Sequence, residues 1–451
     1  MHALQMVGAL MLAASAAAFG QSTNQSSQTP PAKAKDTQSS VTITANVRQV
    51  LVPVVVTDKK GHYVTDLKAS DFQIFEDGAP QKIVAFSSGP DSLILGAGGK
   101  TVAHLESGVP AAVQQKTDSG GLRRSYLICV DTLHSSFANF ARVRDALRKF
   151  FEQQPGDDSQ YALVALGRDI VMLHDSARNP SEILAAVQDK RIAKAIQGSE
   201  AGNAAFARQQ FLGLMGRYCG LCGCPLASQE QPGCPGARAN VQMFFQSNAN
   251  RTLMLNERFL AGLNRLVAAI ASMPTTRTIV FISDGFERAP GNELYAMMQA
   301  FGARDSTLTL TPVDTQGLLD KVIRLAVQNN VLFYTLDSRG LYTLASIGGS
   351  TMDASTGGAS PFRVDRSQMN VAHEKTDGLA ELANKTGGLF FENNNDLLKG
   401  IQRAVADGHE HYVLAYVPSD KGTAGRYRKI HVEVKDHKLR VKAKPGYWAT
   451  N

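Results

Sequence analysis

Tyr126-Leu127-Ile128-Cys129-Val130 is an unbroken apolar run that ends abruptly in Asp131. A strand with one wet face would alternate, so five apolar residues in succession predict a strand buried on both faces, as in a parallel sheet covered by helices. After it, Phe140, Val143, Leu147, Phe150 and Phe151 recur at three- and four-residue spacing, which predicts a helix packed back on that sheet. Working outward, Tyr161 to Leu166 and Ile170 to Leu173 read as strands and Ser181 to Val187 as the start of a helix. The alternation resumes with helix Leu253 to Met273, strand Thr278 to Ile282 closing on Ser283-Asp284-Gly285, helix Leu318 to Gln328, and strand Val331 to Leu336 closing on Asp337. Helix Asp377 to Lys385, strand Leu389 to Phe391 and helix Asp396 to Ala406 complete it. Strands alternating with helices predict a doubly wound, mainly parallel α/β sheet.

The flanks have the strand period instead. Val50, Val52, Val54 and Val56 alternate with their neighbours, and Phe72 to Phe75 and Ile83 to Phe86 surround the turn Glu76-Asp77-Gly78. Tyr412 to Val417, Arg428 to Val434 and Leu439 to Ala443 do the same at the other end. Each flank is too short to bury a core alone, so the two β segments are expected to pack together. The expected organisation is a signal peptide over 1–20, a tether over 21–44, an N-terminal β module over 45–88, a linker over 89–122, the α/β domain over 123–408 and a C-terminal β segment over 409–451.

The chain has 451 residues, of which 43% are hydrophobic and 19% charged, a globular composition with room for more than one domain. A net charge of +7 is a mild excess, and no Lys/Arg block interleaved with aromatics tracks a phosphate backbone, so a nucleic-acid partner is not expected. Met6 to Ala18 is apolar but too short to span a bilayer, and Ala18-Phe19-Gly20 carries small residues suited to cleavage before Gln21. The expectation is a secreted or periplasmic protein with no membrane span in the mature chain. Cys219, Cys222, Cys224 and Cys234 cluster in an insertion at about 192–250. Four thiolates suffice for tetrahedral zinc, but an oxidising compartment favours two disulfides, with Cys222 and Cys224 too close in sequence to pair with each other. Cys129, inside the apolar run, reads as a buried free thiol.

Ligands of an open parallel sheet gather at the carboxyl ends of its strands, where Asp131 and Asp284 both fall. Two carboxylates at one edge repel unless a cation or hydrogen bonds offset them, and Ser135 lies four residues past Asp131. Asp131-Thr132-Leu133-His134-Ser135, Phe281-Ile282-Ser283-Asp284-Gly285 and the β-α alternation between them resemble a von Willebrand factor type A (VWA) domain. The flanks Val56 to Gly61, Asp71 to Gly78 with Gln81-Lys82-Ile83, Leu379 to Ala383 leading to Thr386-Gly387-Gly388, and Pro445-Gly446-Tyr447-Trp448 resemble exported VWFA-related proteins of the Acidobacteria type, over most of residues 45–449. The resemblance implies a metal-ion-dependent adhesion site whose Asp-x-Ser-x-Ser pattern is matched by Asp131 and Ser135, with Asp284 as the carboxylate closing the central strand. Leu133 stands where the first serine belongs, the threonine ligand has no counterpart beyond a weak one in Ser199, and the site is therefore degenerate. Mg²⁺ or Ca²⁺, weakly held by Asp131, Ser135 and Asp284, is the cofactor implied. The plain alternative makes Asp131 a cap and Asp284-Gly285 a tight turn.

The function expected is a non-enzymatic binding or adhesion-type protein of the cell envelope, acting on a protein partner. The rival is a metal-dependent hydrolase using Asp131 and Asp284 around an activated water, with His134 as the base, and a third reading is a scaffold without metal. His409-Glu410-His411 lacks the one-turn spacing of a zinc helix and reads as solvent-facing loop.

Overall fold

The computed structural model describes residues 49–88, 95–96, 124–153, 159–177, 179–197, 199–224, 231–271, 276–301, 312–341, 361–392, 394–419 and 423–449. The chain divides into Met1–Asn46 and Val47–Asn451, and every described residue belongs to the second unit. The expected signal peptide, the tether and nearly all of the linker lie outside the described residues.

In chain order the elements are β1 (Val50–Thr57), β2 (Phe72–Glu76), β3 (Ala79–Gln81), β4 (Ile83–Ser88), β5 (Leu95–Gly96), β6 (Arg124–Asp131), α1 (Phe137–Gln153), β7 (Gln160–Leu166) and β8 (Ile170–Ala177). Next come α2 (Pro180–Val187), α3 (Lys190–Gln197), α4 (Glu200–Cys222), α5 (Cys234–Ala271), β9 (Thr276–Ser283), α6 (Asn292–Ala300), α7 (Gln316–Gln328) and β10 (Val331–Asp337). The last are α8 (Pro361–Thr386), β11 (Phe390–Phe391), α9 (Leu397–His409), β12 (His411–Tyr416), β13 (Tyr427–Val434), β14 (Arg440–Ala443) and β15 (Gly446–Trp448).

The central sheet runs β11-β10-β9-β6-β7-β8, parallel throughout except for β8. The β6 run is apolar on both faces because both are covered. Tyr126, Ile128 and Val130 pack with Phe140, Leu147, Phe150 and Ile401 from α1 and α9, while Leu127 and Cys129 pack with Phe259, Leu263 and Val322 from α5 and α7. Cys129 is a fully buried free thiol whose ionisation burial pushes up. From β6 the chain steps to β7 on one side and later to β9 on the other, so the strand order reverses between β6 and β9.

The flanking β segments share two further sheets, β14-β1-β12-β4-β5 and β15-β13-β2-β3. Val52, Val54 and Val56 of β1 face Phe72, Ile74, Leu414, Ile430 and Val432 in one core. Neither terminal segment could form either sheet without the other. Inside it, Glu76 and Arg428 pair, both about 95% buried, with Tyr416 and Tyr447 also donating to the Glu76 carboxylate.

Over its described residues the cysteine-bearing insertion is helical. α4 has 23 residues and α5 38, and they form an antiparallel hairpin around Phe211, Met215, Tyr218, Val241 and Phe245. Helix Leu253 to Met273 of the sequence reading is thus only the second half of α5. The helix expected at Asp377 likewise begins earlier, at Pro361. His409 and His411 are not solvent-facing: His409 stacks on Tyr126, and His411, 7% exposed, is tied to Gly408 O at 2.9 Å.

Candidate functional site: the strand-end apex

Register brings the site together. Val130 of β6 lies opposite Ile282 of β9, and Asp337 of β10 opposite Ser283, so the carboxyl ends of three neighbouring strands reach one row. Asp131 and Asp284, 153 positions apart in sequence, are brought to this apex, and buried Ser135 lies on the loop whose next residue, Ser136, bonds Asp284.

Asp131 is fully buried. Its Oδ1 accepts the backbone N–H groups of Leu133 at 2.9 Å and His134 at 3.0 Å. Its Oδ2 accepts the Ser283 hydroxyl at 2.6 Å and faces His134 Nδ1 at 2.9 Å. Asp284, 8% exposed, accepts Ser136 N–H at 2.9 Å and Asn139 Nδ2 at 2.7 Å on one oxygen and the Ser338 hydroxyl on the other. Burial pushes the Asp284 carboxyl above its ordinary range, against the pull of those three hydrogen bonds. Gly285 follows at φ 85°, where a Cβ would run into the backbone of Lys375, so the sharp exit from β9 needs glycine.

A second ring of contacts fixes these donors. Arg142 of α1 donates to Asn139 Oδ1 at 2.9 Å and Ser338 O at 2.7 Å, locking the first turn of α1 to the loop after β10. Asp337 is held by Arg339 through two bonds of 2.9 Å. The α4–α5 hairpin is anchored here too: Glu200 N–H donates to Leu133 O at 2.7 Å, and the Glu200 carboxylate pairs with Arg168 and Arg251. Ser199, the weak threonine substitute, immediately precedes this contact. Behind the loop after β9, Glu293 sits between Arg208 of α4 and Lys375 of α8, and burial raises the nearby Glu287 carboxyl to about 7.

The residues present do not fit a divalent cation. Such an ion takes six or more oxygens, part of them water, and is held to the protein through carboxylate or hydroxyl oxygens with free lone pairs. Both Asp131 oxygens already carry two donors each, and Asp284 carries three in all. Leu133, 2% exposed, lies in the apolar core, leaving Ser135 Oγ as the buried oxygen without a hydrogen-bond partner. Among the described residues no group of three or more His, Cys, Asp or Glu side chains is arranged to hold a metal ion.

Sequence reasoning placed Asp131, Ser135 and Asp284 together but did not find their partners. Ser283 lay inside the quoted Ser-Asp-Gly and is the donor to Asp131, whereas Asn139 and Ser338 carry no local signal and appear only once α1 and the β10 loop are docked. The four clustered cysteines form the pairs Cys219–Cys224 and Cys222–Cys234, so Cys222 and Cys224 do not pair with each other.

The strand order and the parallel register are those of a doubly wound, mainly parallel α/β sheet of the VWA/Rossmann-like class. The fold is VWA-like. No protein-family model matches the chain, and no curated protein matches its sequence. Among solved structures, von Willebrand factor type A from Catenulispora acidiphila is similar at 9% identity over 73% of this chain and 67% of its own, with a TM-score of 0.30. Conserved hypothetical protein BatB from Bacteroides thetaiotaomicron is similar at 9% identity over 63% of this chain and 98% of its own, TM-score 0.28. Proximal thread matrix protein 1 from the mussel byssus, with a zinc-occupied MIDAS motif, is similar at 10% identity over 64% of this chain and 48% of its own, TM-score 0.26. The VWA-like chain spans about half the length of that mussel protein. Among the described residues no helix is long and apolar enough to cross a membrane.

Proposed function

We propose that this VWA-like chain is an exported, non-enzymatic protein-binding module that docks its partner on the strand-end apex without a bridging cation. The observation that carries the reading is the closure of both apical carboxylates by the chain's own donors, beside two side chains left out in water. Phe137, at the start of α1, is 61% exposed, and Leu341, in the loop after β10, is 57% exposed. Arg142 ties the segments bearing them together, so both project from the same end of the sheet. Large apolar groups held in place around a desolvated centre are the anchors that protein interfaces use.

The hydrolase reading has less support. It needs His134 as the base beside a metal-bound water, whereas His134 Nδ1 is committed to Asp131 and its ring packs edge-to-face with Phe259 at 4.6 Å between centroids. The two disulfides suit an oxidising compartment, in line with a secreted or periplasmic location.

The test is partner capture from envelope extract by wild type, Phe137→Glu and Leu341→Glu, each with Mg²⁺ or with EDTA. The reading expects one partner retained in EDTA and lost from both variants. Loss in EDTA alone, or turnover in a hydrolase screen that Asp131→Asn abolishes, contradicts it.

A further inference from the structure

Two tight turns lie side by side at one end of the β module. β1 and β14 are antiparallel with Thr57 opposite Arg440, so the turn leaving β1 (Asp58 to Gly61) and the turn entering β14 (Asp436 to Leu439) share the same tip. Between them they expose Lys59, Lys60, Lys438 and Arg440, with His62 and His437 beside them. None of those four lysine and arginine side chains has an acidic partner among the described residues. The two acids in the turns keep their charge but are bonded to their own turns, so four cations less two carboxylates leave the tip at +2. Asp58 accepts Lys60 N–H at 2.8 Å, His62 N–H at 2.9 Å and faces His62 Nδ1 at 2.9 Å, while Asp436 accepts Lys438 N–H at 3.0 Å. Asp71, the next acid, is 3.9 Å from Lys435.

The geometry points to this basic tip as a docking site for an anionic lipid surface. Each acid folds its own turn and so fixes the backbone from which the cations project. Adjacent strands are about 5 Å apart, so the four exposed cations lie on neighbouring turns at one tip. Cations exposed on a turn tip can all meet a field of phosphates laid across it, and an anionic leaflet supplies such a field. The two turns carry no Phe, Tyr or Trp to stack on a base, which sets this surface apart from a single-strand nucleic-acid groove. Juxtaposed Lys and Arg side chains each contribute about 1 kcal/mol at an anionic leaflet, or about fivefold in partitioning.

The test is sedimentation of the full chain with vesicles of phosphatidylcholine alone or with about 30% phosphatidylglycerol, at low and at high salt. The partition coefficient on phosphatidylcholine is subtracted, which removes any contribution of the apolar N-terminus. The extra binding to phosphatidylglycerol is expected to fall about 25-fold in Lys59→Gln/Lys60→Gln and again in Lys438→Gln/Arg440→Gln, and to vanish at high salt. A charge-matched control, Lys190→Gln/Lys321→Gln, should retain it. The proposal is overturned if the control loses as much, if phosphatidylglycerol adds no binding at low salt, or if heparin or duplex DNA binds the tip and vesicles do not.

Discussion

Lys444 should make this protein more stable when it is replaced by a residue that cannot carry charge. It lies in the turn between β14 and β15, 4% exposed, and its partner is Asn330 Oδ1 at 2.9 Å, with no carboxylate among the described residues paired to it. Burial lowers its pKa from 10.5 to about 7. The depressed value means that folding disfavours the ammonium. Above pH 10.5 the lysine is neutral folded and unfolded and costs nothing; the cost grows as pH falls toward 7 and is constant below it. A shift of about 3.5 units corresponds to roughly 5 kcal/mol at full extent, about 4 kcal/mol at pH 7 and about 2 kcal/mol at pH 9. Lys444→Met keeps the length and apolar stem but leaves Asn330 Oδ1 unpaired, a loss of about 1–3 kcal/mol that does not vary with pH. Urea unfolding of wild type and Lys444→Met at pH 7, 8 and 9 reads the difference directly. The expected advantage of the methionine variant shrinks by about 2 kcal/mol from pH 7 to 9. A difference that does not change with pH refutes the reasoning, because it means that Lys444 keeps its proton in the folded protein.

Other consequences are as direct. Arg428→Met strands the buried Glu76 carboxylate and should cost about 3–5 kcal/mol in urea unfolding, whereas Arg426→Met, on the exposed side of the same region, should cost under about 1 kcal/mol. Ser283→Ala removes a buried donor from Asp131 and should cost about 1–3 kcal/mol; an unchanged midpoint means that the apical network carries no stability. Mass spectrometry without reduction should find Cys219 linked to Cys224 and Cys222 to Cys234, and Cys222→Ser/Cys234→Ser should speed hydrogen exchange at the α4–α5 tip while leaving β6 and β9 protected. Four free thiols contradict the first, and uniform loss of protection the second.

The central sheet was legible because β6 and β10 are apolar on both faces and end in aspartates, a pattern that only a covered parallel sheet accounts for. The terminal β strands were legible as strands from their alternation, while their pairing, such as Val50 with Tyr416, joins residues 366 positions apart and leaves no trace in either segment. The α4–α5 hairpin was hidden for a physical reason. Gly202, Gly213, Gly216 and Gly220 lower helix propensity along the exposed side of α4, and the packing of Phe211, Met215 and Tyr218 on α5 overrides it. At the apex, carboxylates at strand ends could be read from position alone. Whether an ion or hydrogen bonds offset them depended on Asn139, Ser338 and the side chain of His134, which only the docked loops bring into place.

If the chain's own donors satisfy the strand-end carboxylates, no divalent ion should bind there. Calorimetric titration of the wild-type protein with Mg²⁺, Ca²⁺ and Mn²⁺, alongside Asp284→Ala and Leu133→Ser/His134→Ala, tests it most directly. No binding heat is expected for the wild type or Asp284→Ala at millimolar ion, and any binding should be confined to the double variant, where an oxygen ligand is restored and the imidazole withdrawn from Asp131. Stoichiometric binding by the wild type that Asp284→Ala abolishes contradicts it.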